Sequence, residues 1–255
     1  MATEHSLHER APAEFRSRVA PHRHSALLVA IVVVFAVRPM IGDTVATFAV
    51  FSIAELFLLL VALYNINVDE LVGEREHLLS QSRQRLRLGW ALAAIAALER
   101  VFNIFVHNSL LELVGIMSWL LFLLFVISSL LRSVLKQREV TGETISMAIS
   151  IYLLLGFAWT LFYAVLLQLN PDSFGGLAVA QRGHRVEMHH LFPVLGYFSL
   201  TTLSTVGFGD ITPLTLQARY AAVAEGITGQ FYLAILVARL VGLQMSQSAI
   251  QHTEK

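Results

Sequence analysis

The chain has 255 residues, 56% of them hydrophobic and only 14% charged, with 18 basic and 18 acidic side chains that cancel at pH 7. That is too apolar to cover the surface of a soluble protein of this length, so the composition places the chain in a membrane. The absence of cysteine excludes disulfides, thiolate metal sites and cysteine nucleophiles.

Residues 1–24 are polar, with Arg10, Arg16, Arg18 and Arg23 among glutamates and histidines. Lacking an apolar core, this stretch is neither a cleavable signal peptide nor a nucleic-acid arm and reads as a cytoplasmic tail, with His22 and His24 solvated. Apolar spans then follow at 25–40, 44–64, 88–106, 110–131, 144–167 and 216–245. Residues 25–64 are too many for one crossing, since about 20 residues suffice for the hydrocarbon core. Arg38-Pro39 and Gly42-Asp43 supply the turn between the first two spans. The connection Asp69–Leu86 interleaves leucines and charges, which suits either a helix lying on the inner membrane surface or a solvated loop with a helical turn or two. Thr141-Gly-Glu-Thr144 offers hydroxyls to cap the fifth span.

With both termini inside, thirteen lysines and arginines face the cytoplasm and four (Arg38, Arg182, Arg185, Arg219) face outward, leaving Arg100 in a span. The positive-inside rule therefore favours cytoplasmic termini in a multi-pass cell-membrane protein. The fourth span carries no periodic arginine or lysine, only Glu112 near its outer end, which argues against voltage sensing. Glu55, the Glu99-Arg100 pair and Glu225 are ionisable groups within spans, and each requires a partner. Glu55 and Arg100 are expected to pair between helices as structural glue, the alternative being a role in sensing pH or ligand. Glu225 is expected deep behind the loop described next, bonded to hydroxyls and either neutral or paired. Arg239 is expected to reach lipid headgroups.

The most specific stretch is Thr205-Val206-Gly207-Phe208-Gly209-Asp210. Successive carbonyls point at one axis only if the backbone alternates between ordinary and left-handed conformations, and glycine at every second position tolerates the latter. Such a ladder replaces the water of a dehydrated cation. Val206 and Phe208 then turn their side chains toward protein, Thr205 adds a hydroxyl ring, and Asp210 sits at the outer mouth.

This hexapeptide resembles the selectivity filter of the potassium-channel pore-loop family. It carries Phe208 where tyrosine is usual and Thr201 where some members place a glutamate, so a carboxylate clamp on Asp210 from that position is missing. The resemblance covers about residues 141–245, where the chain looks like a bacterial ion-channel core. It implies a pore helix over 197–204, with Tyr197, Phe198, Thr201, Thr202 and Ser204 supporting the filter, and an exit turn at Ile211-Thr212-Pro213. It implies K+ as the transported ion, coordinated at Thr205, Val206, Gly207 and Phe208, with no cofactor and no enzymatic activity. One chain offers one strand, so a homotetramer is implied. Gly226 and Gly229 are candidates for a gating hinge, or for close packing under the pore helix.

The expected fold is thus an all-α membrane protein of six transmembrane helices, with a re-entrant pore helix and filter between the fifth and sixth. Its regions are a tail (1–24), a four-helix domain without a voltage sensor (25–140), a pore domain (141–247) and a second cytoplasmic tail (248–255). The expected partners are further copies of the chain and membrane lipids, with no nucleic acid and no regulatory domain. His184, His189 and His190 in the loop before the pore helix form a conceivable proton or divalent-metal site. Two alternatives remain: a pore-like protein with weak cation selectivity or no conduction, and a Gly-x-Gly-Asp intramembrane aspartyl protease. The protease requires a second aspartate on a facing helix, whereas Asp43, Asp69 and Asp172 all fall in expected loops.

Overall fold

The computed structural model describes residues 23–37, 54, 61, 87, 89–95, 97–98, 109–137, 140–177 and 188–253. Its main elements are helices α1 (Arg23–Val37), α2 (Ser109–Lys136), α3 (Gly142–Leu169), α4 (Met188–Leu203) and α5 (Leu216–Thr253). Two short strands, β1 (Phe174–Gly175) and β2 (Thr212–Pro213), join them. Among the described residues, Leu110–Lys136, Gly142–Leu169 and Leu216–Met245 are long and apolar enough to cross a membrane. They coincide with the fourth, fifth and sixth expected spans. The first corresponds to α1, whose apolar stretch is His24–Val34. Most of the second and part of the third lie outside the described residues, as do Glu55, Glu99 and Arg100.

Helix α3 is the hub, packing against α1, α2, α4 and α5. It starts at a reciprocal cap: Thr144 N–H donates to Thr141 Oγ1 (3.3 Å) and Thr141 N–H to Thr144 Oγ1 (3.2 Å). It stops at Asn170, whose side chain accepts from Asp172 N–H (3.0 Å), because Pro171 has no amide to continue the ladder. The first turn of α3 also holds α1. Glu143 accepts from His24 N–H (2.8 Å), Ser25 N–H (3.3 Å) and Ser25 Oγ–H (2.5 Å), capping the orphan amides of α1 from a neighbouring helix.

One apolar core joins Leu27 and Ile31 of α1, Phe122, Val126 and Leu130 of α2, and Met147, Ile151 and Leu154 of α3; Val61, Leu92 and Ala93 pack against it. A second joins α3, α4 and the start of α5 around Tyr163, Phe174 and Phe198. These three rings contact edge to face with centroids 5.1–5.4 Å apart.

The sixth span differs from expectation at its carboxyl-terminal end. Helix α5 continues without interruption to Thr253, into the stretch expected as a tail. Arg239 does not reach for headgroups: its Nη2 donates to Leu135 O (2.5 Å) and Gln137 O (3.0 Å). A guanidinium thereby satisfies the last carbonyls of α2, where the negative end of the helix dipole favours a cation.

A candidate selectivity filter

Helix α4 begins earlier than the sequence suggests, at Met188 rather than Tyr197, so the backbone of His189 and His190 belongs to its first turn and not to a loop. His184 lies outside the described residues, and no group of three metal-binding side chains occurs among the described ones. The chain leaves α3 at β1, runs through α4 and the hexapeptide, and returns to pair β2 with β1, Phe174 opposite Pro213 and Gly175 opposite Thr212. The whole excursion therefore starts and ends at the same end of α3. Leu214 N–H closes the pairing by donating to Ser173 O (2.8 Å).

Within the hexapeptide, φ is +61° at Thr205, +52° at Gly207 and +79° at Gly209, while Val206, Phe208 and Asp210 stay negative. Left-handed and ordinary conformations thus alternate over five consecutive residues. The two glycines take the left-handed state without a Cβ clash. Thr205 takes it at a cost of about 1–2 kcal/mol, and no glycine signal revealed that in advance.

The end of α4 holds that strained turn in place. Thr205 N–H donates to Thr202 O (3.0 Å), and Thr201 O accepts from both Val206 N–H (2.9 Å) and Gly207 N–H (3.1 Å). The first amides of the hexapeptide are thereby spent on α4. The carbonyls of Thr205, Val206, Gly207 and Phe208 accept no hydrogen bond among the described residues. Gln230 of α5 reaches the same turn, donating from Nε2 to Thr205 Oγ1 (3.4 Å).

The expected support residues divide by role. Thr201 and Thr202 return their hydroxyls to Phe198 O (2.9 and 2.8 Å), and Ser204 Oγ–H donates to Leu200 O (2.6 Å). Phe198 is buried in the aromatic triad. Tyr197 stacks on Phe208 with centroids 6.2 Å apart and planes 2° from parallel, and its hydroxyl is hydrogen-bonded to Asp210. Val206 and Phe208 were expected to wedge against protein, yet 55% and 69% of their surfaces stay exposed in a single chain.

Gly176 and Tyr152, which the sequence does not single out, complete the scaffold together with Gly229 and Glu225, which it does. Gly176 (φ +82°) lies beneath the exit, where a Cβ would stand 2.0 Å from Asp210 O. Tyr152 Oη–H donates to Leu203 O (3.3 Å) at the end of α4. Gly229 fits against that same carbonyl, where a Cβ would stand 2.2 Å from it, whereas at Gly226 the nearest atom, Thr202 O, is 3.8 Å away. Helix α5 is continuous through both glycines, so Gly229 serves close packing in this conformation. Glu225 is fully buried behind α4, in contact with the hydroxyls of Tyr163 and Ser199.

Asp172, the only other aspartate among the described residues, lies in an exposed turn and not on a helix facing Asp210. The arrangement presents unspent main-chain oxygens beside a carboxylate, which suits cation coordination rather than acid–base chemistry. Residues 183–244, covering α4, the hexapeptide and most of α5, match the model of the family described as "Ion channel". No curated protein matches the chain.

Proposed function

We propose that this protein is a potassium-selective channel of the pore-loop kind in which four copies of the chain surround one pore, a reading supported by the match of residues 183–244 to the ion-channel family. The observation that carries the reading is the alternation of φ at Thr205, Gly207 and Gly209 combined with amides committed to α4. That combination leaves consecutive carbonyls available as a ladder of oxygens for dehydrated K+, the transported ion. The Thr205 hydroxyl adds the innermost ring, and Asp210 draws cations to the outer mouth.

A ring of four is supported by what one chain leaves uncovered. Only 6% of the apolar window of α5 is buried, and Tyr220, Val223, Ile227 and Phe231 are all at least half exposed. With Val206 and Phe208 they form an apolar surface that a neighbouring copy covers in a closed cyclic assembly. Both termini lie in the cytoplasm and the filter faces outward, in keeping with the distribution of arginine and lysine.

The test is the reversal potential of the purified protein reconstituted in mixed K+ and Na+. A potential close to that of K+, with current blocked by barium, supports the proposal. Equal permeability to K+ and Na+, or no current from an assembled tetramer, sinks it.

A further inference from the structure

Glu225 is the only buried carboxyl group among the described residues, and no lysine, arginine or histidine among them pairs with it. The titratable groups that face it are Tyr163 and Tyr152 of α3; α4 presents only the Ser199 hydroxyl. An ionised carboxylate there would be a buried charge without a counter-ion, one of the costliest arrangements a protein core can hold.

The protons can be counted. Tyr163 Oη contacts Glu225 Oε2, Ser199 Oγ lies 2.5 Å from Glu225 Oε1, and the same Ser199 Oγ lies 2.7 Å from Gly156 O. Thr160 Oγ1–H also donates to that carbonyl (2.8 Å), which has no proton of its own to offer. With Glu225 ionised, the tyrosine and serine hydroxyls supply two protons for three oxygen–oxygen contacts. Both Ser199 contacts have the length of a full hydrogen bond, and one hydroxyl proton cannot make both. A protonated Glu225 supplies the third. Its Oε1–H then donates to Ser199 Oγ, Ser199 O–H donates to Gly156 O, and Tyr163 O–H donates to Oε2.

We propose that Glu225 is held as a neutral carboxylic acid and acts as a positioning residue, its proton completing a hydrogen-bond chain that joins α3, α5 and α4 behind the filter. Ser199 lies six residues before Thr205 on α4, so the chain sets where the pore helix, and through it the filter turn, stands. The consequence for current rests on the channel reading; the protonation does not.

Two measurements on the full-length protein in lipid test this. The infrared spectrum at neutral pH should contain the carbonyl band of a protonated carboxylic acid, absent in Glu225→Gln. If no band is lost on that substitution, the proposal is overturned whether or not the protein conducts. Glutamine keeps one donor and one acceptor, so Glu225→Gln should retain wild-type potassium current, while Glu225→Leu and Ser199→Ala should each lose about tenfold or more. Wild-type current should fall at strongly alkaline pH and that of Glu225→Gln should not. Identical pH profiles, or equal currents in the Gln and Leu variants, overturn the positioning role. A wild-type protein that shows the band but passes no potassium current refutes the channel reading and leaves the neutral acid standing.

Discussion

The ring of Tyr197 lies parallel to that of Phe208, and the Tyr197 hydroxyl bonds to Asp210, so one side chain of α4 grips the hexapeptide at two points. Phe208 has no hydroxyl of its own and Thr201 provides no carboxylate. The polar tie between α4 and the outer end of the filter therefore passes through Tyr197.

Tyr197→Phe separates the two contacts, keeping the stacked ring and removing the bond to Asp210. Solvent screens a contact in so exposed a setting, so the loss should be modest and confined to the outer end of the hexapeptide. The expected outcome is an assembled protein whose stabilisation by K+ is weaker than in wild type, read as a smaller rise in thermal midpoint on exchanging Na+ for K+. An unchanged K+-dependent rise would show that Asp210 is held by something else.

The glycines of α5 separate hinge from packing. A methyl group at Gly229 meets the backbone carbonyl of Leu203, which cannot swing aside as a side chain can. Gly229→Ala is therefore expected to destabilise the pore domain by about 1–3 kcal/mol, the usual cost of overpacking. At Gly226 the nearest atom is at ordinary contact distance, so Gly226→Ala is expected to be neutral or stabilising by up to about 1 kcal/mol through helix propensity. Thermal unfolding of the two variants in detergent checks this. Equal destabilisation by both would show that the space around Leu203 does not govern the site.

What the sequence disclosed, and what it concealed, follows from the kind of signal each feature leaves. Gly207 and Gly209 announce left-handed conformations because glycine alone takes them freely, and the Thr141–Thr144 cap is a local pattern of hydroxyls. Thr205 takes the same left-handed conformation with no residue-type signal, since the turn is held by main-chain bonds, its own amide to Thr202 O and the next two amides to Thr201 O. Gly226 and Gly229 look alike in sequence and differ only in how near α4 comes. Arg239 resembles any basic residue near the end of a span until the end of α2 is seen beside it. The contact of Tyr197 with Asp210 depends on the return of the filter past its own helix, a long-range event that local composition does not encode.

The return of the chain also locates the most sensitive position outside the hexapeptide. Gly176 follows β1 directly, has φ +82°, and leaves no room for a Cβ beneath the carbonyl of Asp210. Gly176→Ala imposes a left-handed alanine, at about 1–2 kcal/mol, and also a contact that only movement of the filter exit or of β1 can relieve. Because β1 is paired to β2, either movement pulls on Thr212 and Pro213 and so on Asp210. Gly142, at the start of α3, has nothing within 4 Å of the place a methyl group would take, and is the matched control. On the proposed channel function, potassium current per assembled protein should fall steeply in Gly176→Ala and stay at the wild-type level in Gly142→Ala, with both variants running at the wild-type oligomer size in detergent. Full current and unaltered K+ preference in Gly176→Ala would mean that the exit of the filter does not depend on the segment that follows α3.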